Sequence, residues 1–147
     1  MTNMADILDV AKYILQCKGK MSTWKLQKLC YYAQAWSIAW TEKPLFTDNF
    51  EAWANGPVCP KLFNIHRGLY TVDEEDISQG DIGHLTEDEI DSINVIINDY
   101  GNKEPYDLRE MTHNEAPWKI ARGNLSEGEK CNTVISKESM GEYYGGL

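Results

Sequence analysis

From Lys25 to Trp40 the chain reads Lys-Leu-Gln-Lys-Leu-Cys-Tyr-Tyr-Ala-Gln-Ala-Trp-Ser-Ile-Ala-Trp. Leu26, Leu29, Ala33, Trp36 and Trp40 recur at spacings of three and four, which is one face of a helix. Trp24, Tyr31 and Ile38 form a second stripe at intervals of seven. A helix apolar on more than one side belongs inside a domain. The pattern therefore predicts a central buried helix over about 23–40, with those five residues as its scaffold face. Ser22 or Thr23 is placed to cap it, and Lys25 and Lys28 are expected at its polar edge. It is too short and too polar to span a membrane.

Other elements follow from the same signals. Ile7, Ala11, Ile14 and Leu15 give a helical face over 3–17, with Gly19 placed to stop it. Phe50, Ala52 and Ala54 alternate with Glu51, Trp53 and Asn55, so a short half-buried strand is expected at 49–54, paired in a small hairpin or sheet. Asn55-Gly56-Pro57 breaks it, and Pro60 starts a short helix that Gly68 closes. Residues 71–85 read as acidic loop. Thr86-Glu87-Asp88-Glu89 is a capping box, and Ile90, Ile93, Ile97 and Tyr100 mark the buried face of the helix that follows, up to Gly101. Pro105 opens another helix to about Thr112, with Leu108 and Met111 inward. Pro117 begins one turn to Arg122, 123–133 is loop, and Ser136 caps a last helix over 137–144. The expected fold is α+β, predominantly α-helical, packed around the central helix with a small β element near 49–54, as a single domain over 1–147.

Composition narrows the function classes. The net charge of −9 has a local origin: 73–91 holds nine acids and no Lys or Arg, and removing them leaves 14 acids against 14 bases. A neutral body with one acidic segment lacks the basic surface that phosphate neutralisation needs, so no nucleic-acid partner is expected for this chain alone. Asp73, Glu74, Glu75 and Asp76 are either a solvated loop or a docking surface for a basic partner. Met1 to Asp9 is polar and acidic, without the features of a signal peptide, and no long apolar run occurs, so a cytoplasmic protein with no membrane contact is expected. The four cysteines show no metal-ligand spacing, and Cys17 and Cys30 sit on helical patterns where thiols usually pack as small hydrophobes.

No catalytic constellation stands out, and neither a cofactor nor a metal is expected. His66, His84 and His113 are isolated, and nucleotide-binding and serine-hydrolase motifs are missing. The most defensible enzymatic alternative makes Cys59 a nucleophile before a helix, with His113 as base and Glu115 as orienter. Five Trp and eight Tyr leave many indoles and phenols in need of hydrogen-bond partners. His113 and Trp118 are either a clasp pinning an irregular segment to the core or part of a binding face, and Trp53 carries the same ambiguity.

The residues 25–36, Lys-Leu-Gln-Lys-Leu-Cys-Tyr-Tyr-Ala-Gln-Ala-Trp, resemble the signature of the Panacea antitoxin domain, the SocA-like family also known through phage-associated GepA proteins. Pro44-Leu45-Phe46, then Phe50-Glu51-Ala52-Trp53-Ala54-Asn55-Gly56-Pro57-Val58 with Pro60, are similar to its second motif. Thr112-His113-Asn114-Glu115-Ala116-Pro117-Trp118 is similar to its late element. Together these span 24–118. Met111 replaces the usual Leu before Thr-His, and Ser37 stands where many relatives carry His, which speaks against a catalytic role there. The resemblance implies a non-enzymatic antitoxin, often phage-encoded, that binds a cognate toxin protein directly. One branch of the family hands its toxin to a cytoplasmic protease. A phage accessory protein binding a host factor is the other binding-module reading. On either, the partner is expected around Trp53, Asn55, Gly56 and Pro57 and around His113, Glu115 and Trp118.

Overall fold

A computed structural model describes residues 4–147. The residue-3 start expected for the first helix lies outside them. In chain order the elements are α1 (Ile7–Lys18), β1 (Met21–Ser22), α2 (Thr23–Thr41), β2 (Phe50–Trp53), β3 (Gly56–Val58), α3 (Pro60–His66), β4 (Thr71–Val72), α4 (Glu87–Tyr100), α5 (Pro105–His113), α6 (Ala116–Arg122), β5 (Val134–Ile135) and α7 (Lys137–Gly145). The fold is α+β and predominantly helical. β2 is the middle strand of a three-stranded antiparallel sheet, between β3 and β5, while β1 pairs with β4.

α2 is the organiser. Ser22 caps it by accepting from Lys25 N at 3.0 Å, and α7, α4, α1, α5 and β3 pack on it from different sides. One continuous apolar cluster runs from Ala5 to Tyr144 through Leu26, Leu29 and Ala33. Two glutamines seven residues apart on α2 tie down the chain that wraps it. Gln34 accepts from Leu45 N (2.7 Å) and donates to Phe46 O (2.7 Å). Gln27 accepts from Cys59 N (2.9 Å), and its amide nitrogen lies 3.0 Å from His66 Nε2. Each carboxamide acts as a detached peptide group, supplying a buried donor and acceptor where no strand neighbour exists.

Several expectations need correcting. Trp40 is 47% exposed, because α2 runs a turn past the elements that cover it; its ring stacks on Trp36, which is only half-buried. Lys28 is 1% exposed rather than at a polar edge, because the β2–β3 hairpin and α5 close over it. Cys17 is exposed, while Cys30, Cys59 and Cys131 are buried free thiols. On α4 the fully buried residues are Ile93 and Ile96, with Ile90, Ile97 and Tyr100 at the flanks, since the helix packs on both α1 and α2. Residues 71–85 are not simple loop: besides β4 they hold 3₁₀ turns at Glu74–Ile77 and Ile82–His84.

The second of those turns is latched to α1. Asp9, buried in the first turn of α1, accepts from Asp81 N (2.7 Å) and lies 3.1 Å from His84 Nδ1. The hydrogen bond and charge of Asp9 hold the His84 imidazole above its ordinary range.

Candidate functional site

The motif after α5 folds back as a clasp. Trp118 on α6 donates from its indole nitrogen to Trp53 O of β2 at 2.9 Å. The His113 ring stacks on the Trp118 indole, 3.9 Å between centroids and 11° from parallel. Arg122, at the end of α6, also lies against Trp118 and donates to Ala52 O of β2 (2.9 Å) and to Ser126 O and Glu129 O of the following loop (2.8 and 2.6 Å). Its planar, multiply donating guanidinium is what lets one side chain join a strand to an irregular loop.

His113 Nδ1 faces Glu127 Oε1 at 3.1 Å, so the neutral ring carries its proton there. Burial keeps this imidazole below the usual histidine range, with the charges of Arg109 and Lys28 adding to the effect against the pull of Glu127. Its Nε2 is buried with no partner among the described residues.

Glu115 serves a different neighbourhood. It accepts from Tyr32 Oη of α2 (2.7 Å) and Tyr144 Oη of α7 (2.8 Å), and Tyr32 stacks on Tyr100, whose hydroxyl accepts from the Trp36 indole (2.9 Å). Burial raises the Glu115 carboxyl above its ordinary value, and the two phenols oppose that shift. Burial also pushes both phenols upward, so they remain donors.

The enzymatic alternative therefore loses its geometry. Cys59 is buried, and burial pushes its thiol up to about 11, opposite to what a thiolate nucleophile requires at neutral pH. The side-chain partners of His113 and Glu115 are Glu127 and the two tyrosines. No group of three or more His, Cys, Asp or Glu side chains among the described residues is placed to hold a metal ion.

The clasp itself borders a pocket of about 340 Å³ lined by His113, Trp118, Arg122 and Glu127, and a separate groove lies along the hairpin. This groove, of about 750 Å³, runs between Trp24 of α2, Glu51 and Trp53 of β2, Asn55 at the turn, and Lys130 and Asn132 of the loop that Arg122 holds. Trp53 donates to Glu51 Oε1 (2.8 Å) and meets Phe63 edge-on at 4.9 Å, which fixes the indole as a wall. Past Trp24 and Asn55 the groove continues into a cleft of about 200 Å³ bounded by Lys28, Tyr106 and Arg109. Gly56 and Pro57 are buried on β3. Gly56 takes a φ of +124°, and a Cβ there would lie 3.0 Å from Lys28 Cε and 3.3 Å from Thr112 Oγ1. Glycine at this position both makes the turn and leaves room for the lysine.

A family model described as the SocA-like antitoxin, Panacea domain, matches residues 26–119. That covers well over half of the chain. The chain belongs to the SocA-like Panacea antitoxin family. Comparison with curated proteins and with solved structures gives no match. The Panacea match takes in most of α2, the β2–β3 hairpin and the His113–Trp118 part of the clasp, but not Arg122 or Glu127. Trp24, the loop carrying Lys130, β5 and α7 lie outside it.

Of the residues singled out from the Panacea motifs, Trp53 and Asn55 line the open groove, while Gly56 and Pro57 are buried on β3 and line neither cavity. His113, Glu115 and Trp118 are drawn into the clasp and the tyrosine cluster. Asp73, Glu74, Glu75 and Asp76 form the first 3₁₀ turn. Asp73 and Asp76 complete its capping box, and Glu74 accepts from Gln16 of α1 at 2.9 Å. Trp24, Lys28, Arg109 and Arg122 were not singled out, because nothing in their local spacing separates a groove wall or a buried cation from an ordinary helix residue. Among the described residues no helix is long and apolar enough to cross a membrane.

Proposed function

We propose that this chain is an antitoxin that neutralises a cognate toxin protein by direct contact, encoded on a phage or mobile element. Membership of the SocA-like Panacea family carries this reading. The groove between Trp24 and Trp53 supplies a contact surface, since half-buried indoles beside polar rims have the composition of protein-binding hot spots. A single-chain antitoxin working by masking needs no catalytic group, and the buried, proton-retaining Cys59 fits that role. Handing the toxin to a cytoplasmic protease is a further step this scaffold could serve, because a groove occupied by the toxin leaves the acidic turn Asp73–Asp76 free for a second protein.

The test is co-expression with the product of a neighbouring small open reading frame. The antitoxin reading requires that this product arrest growth, that the chain restore it, and that the two co-purify. If no neighbouring product is toxic and a host protein is captured instead, the host-factor reading replaces it.

A further inference from the structure

Lys28 is a charged residue of the α2 interior that meets an indole face but no carboxylate among the described residues. Its side chain is 1% exposed, and among the described residues it makes no hydrogen bond and no ion pair. Around it lie the Trp24 ring face, Arg109, Asn55 and Tyr106. Trp24 lies 5.4 Å from the ammonium, Arg109 lines the same cleft, and the charges of both Lys28 and Arg109 act on His113. The acids beside its neighbours, Glu110 and Glu127, are engaged with Arg109 and His113, and the charge that acts on Lys28 is that of Arg109. Burial and the Arg109 charge lower the lysine to about 8. A molecule with net charge −9 thus keeps an unanswered cationic cleft beside its aromatic groove. Burying a charge without a counterion is costly, and an anion entering from outside removes that cost.

We propose that the cleft between Lys28, Arg109 and Asn55 is a carboxylate-binding subsite, filled by an acidic side chain of the partner while the Trp24–Trp53 groove takes the apolar residues beside it. One unpaired ammonium matches one negative charge, because Arg109 is already shared with Glu110 at 3.0 Å. The Asn55 amide is on the cleft wall to donate to a second oxygen. Trp24 and Asn55 line both cavities, so a chain can pass from one to the other, which suits a side chain on a continuous segment better than a chain end. The identity of the partner rests on the antitoxin reading; the subsite itself does not.

Two experiments test it. In the first, the purified chain carries labelled lysine, and chloride is replaced by acetate at constant ionic strength while the Lys28 side chain is followed by NMR. A saturable acetate-dependent shift of Lys28, lost in Lys28→Met, is the expected result. No saturable shift overturns the subsite, and a tighter saturable response to inorganic phosphate overturns the carboxylate assignment. In the second, the co-purified partner is titrated against variants. Lys28→Met should weaken its binding by about 10- to 100-fold, the worth of a charge-assisted hydrogen bond, and changing one acidic residue of the partner to its amide should do the same. Equal binding by Lys28→Met overturns the inference and leaves the antitoxin reading standing. Loss of binding only when the partner's last residue is removed shows a chain-end carboxylate and overturns the side-chain source. If no neighbouring product binds at all, the antitoxin reading falls, and the acetate experiment still decides the subsite.

Discussion

Replacing Lys28 with Met keeps the length of the side chain and removes a charge that the fold leaves uncompensated. We expect Lys28→Met to unfold at higher urea, with a gain of about 1–3 kcal/mol at neutral pH. The sign of the pH dependence follows from the same shift. The folded-state value of about 8 lies below the unfolded one, so above it the folded chain has released a proton that the unfolded chain still holds. Stability should rise as pH climbs from about 8 towards the ordinary lysine value of about 10.4, and that rise should vanish in the variant. Glu115 is the contrasting case, a half-buried charge with two donors. Glu115→Ala leaves the buried Tyr32 hydroxyl unpaired and Tyr144 with only Tyr31 at 3.3 Å, and should cost about 1–3 kcal/mol in urea unfolding, where an exposed glutamate would cost little.

At the scale of elements every helix is legible, from a periodic face, a cap or a proline. Ser22, Thr86 and Ser136 cap as their spacing implies, and Pro60, Pro105 and Pro117 stand in the first turns of helices that have no side-chain cap. The short strands were not legible. β1, β4 and β5 have two residues each, too few to show alternation, and exist because a partner strand lies alongside. The clasp was half legible. Thr112 to Trp118 could be marked as unusual, but whether its rings faced inward depended on β2 and α7, which lie far away in the chain. Arg122 was silent for the same reason, since its acceptors are backbone carbonyls, which no side-chain pattern reveals. Two outcomes check these couplings. Arg122→Met should free the 123–133 loop and speed tryptic cleavage after Lys130 while the helical circular dichroism stays unchanged. Asp9→Asn should return the raised His84 titration to the usual range near about 6.5 by NMR. With Asp9 intact, the stabilisation from this latch is full below that value and is lost as pH rises through the higher folded-state one.

For the molecule as a whole, the sequence separates scaffold from surface only in part. Leu26, Leu29 and Ala33 do form the core, and the family match covers them together with the hairpin and the His113–Trp118 stack. The groove is assembled from parts that are distant in the chain: Trp24 on α2, Trp53 on β2 and Lys130 on the arginine-held loop. Such a surface has no sequence period, so only the fold could bring it into view. The acidic turn Asp73–Asp76 belongs to a different region of the chain, packed on α1 and α3. Reversing its exposed charges should flatten the salt dependence of toxin association, with little change in affinity at high salt, if it steers the partner. The central claim is that a toxin is held in the Trp24–Trp53 groove, and growth rescue by groove variants tests it most directly. With the neighbouring toxin co-expressed, Trp53→Ala combined with Asn55→Asp should fold, by circular dichroism and urea midpoint, yet fail to restore growth or co-purify. Full rescue by that folded double variant would contradict the account.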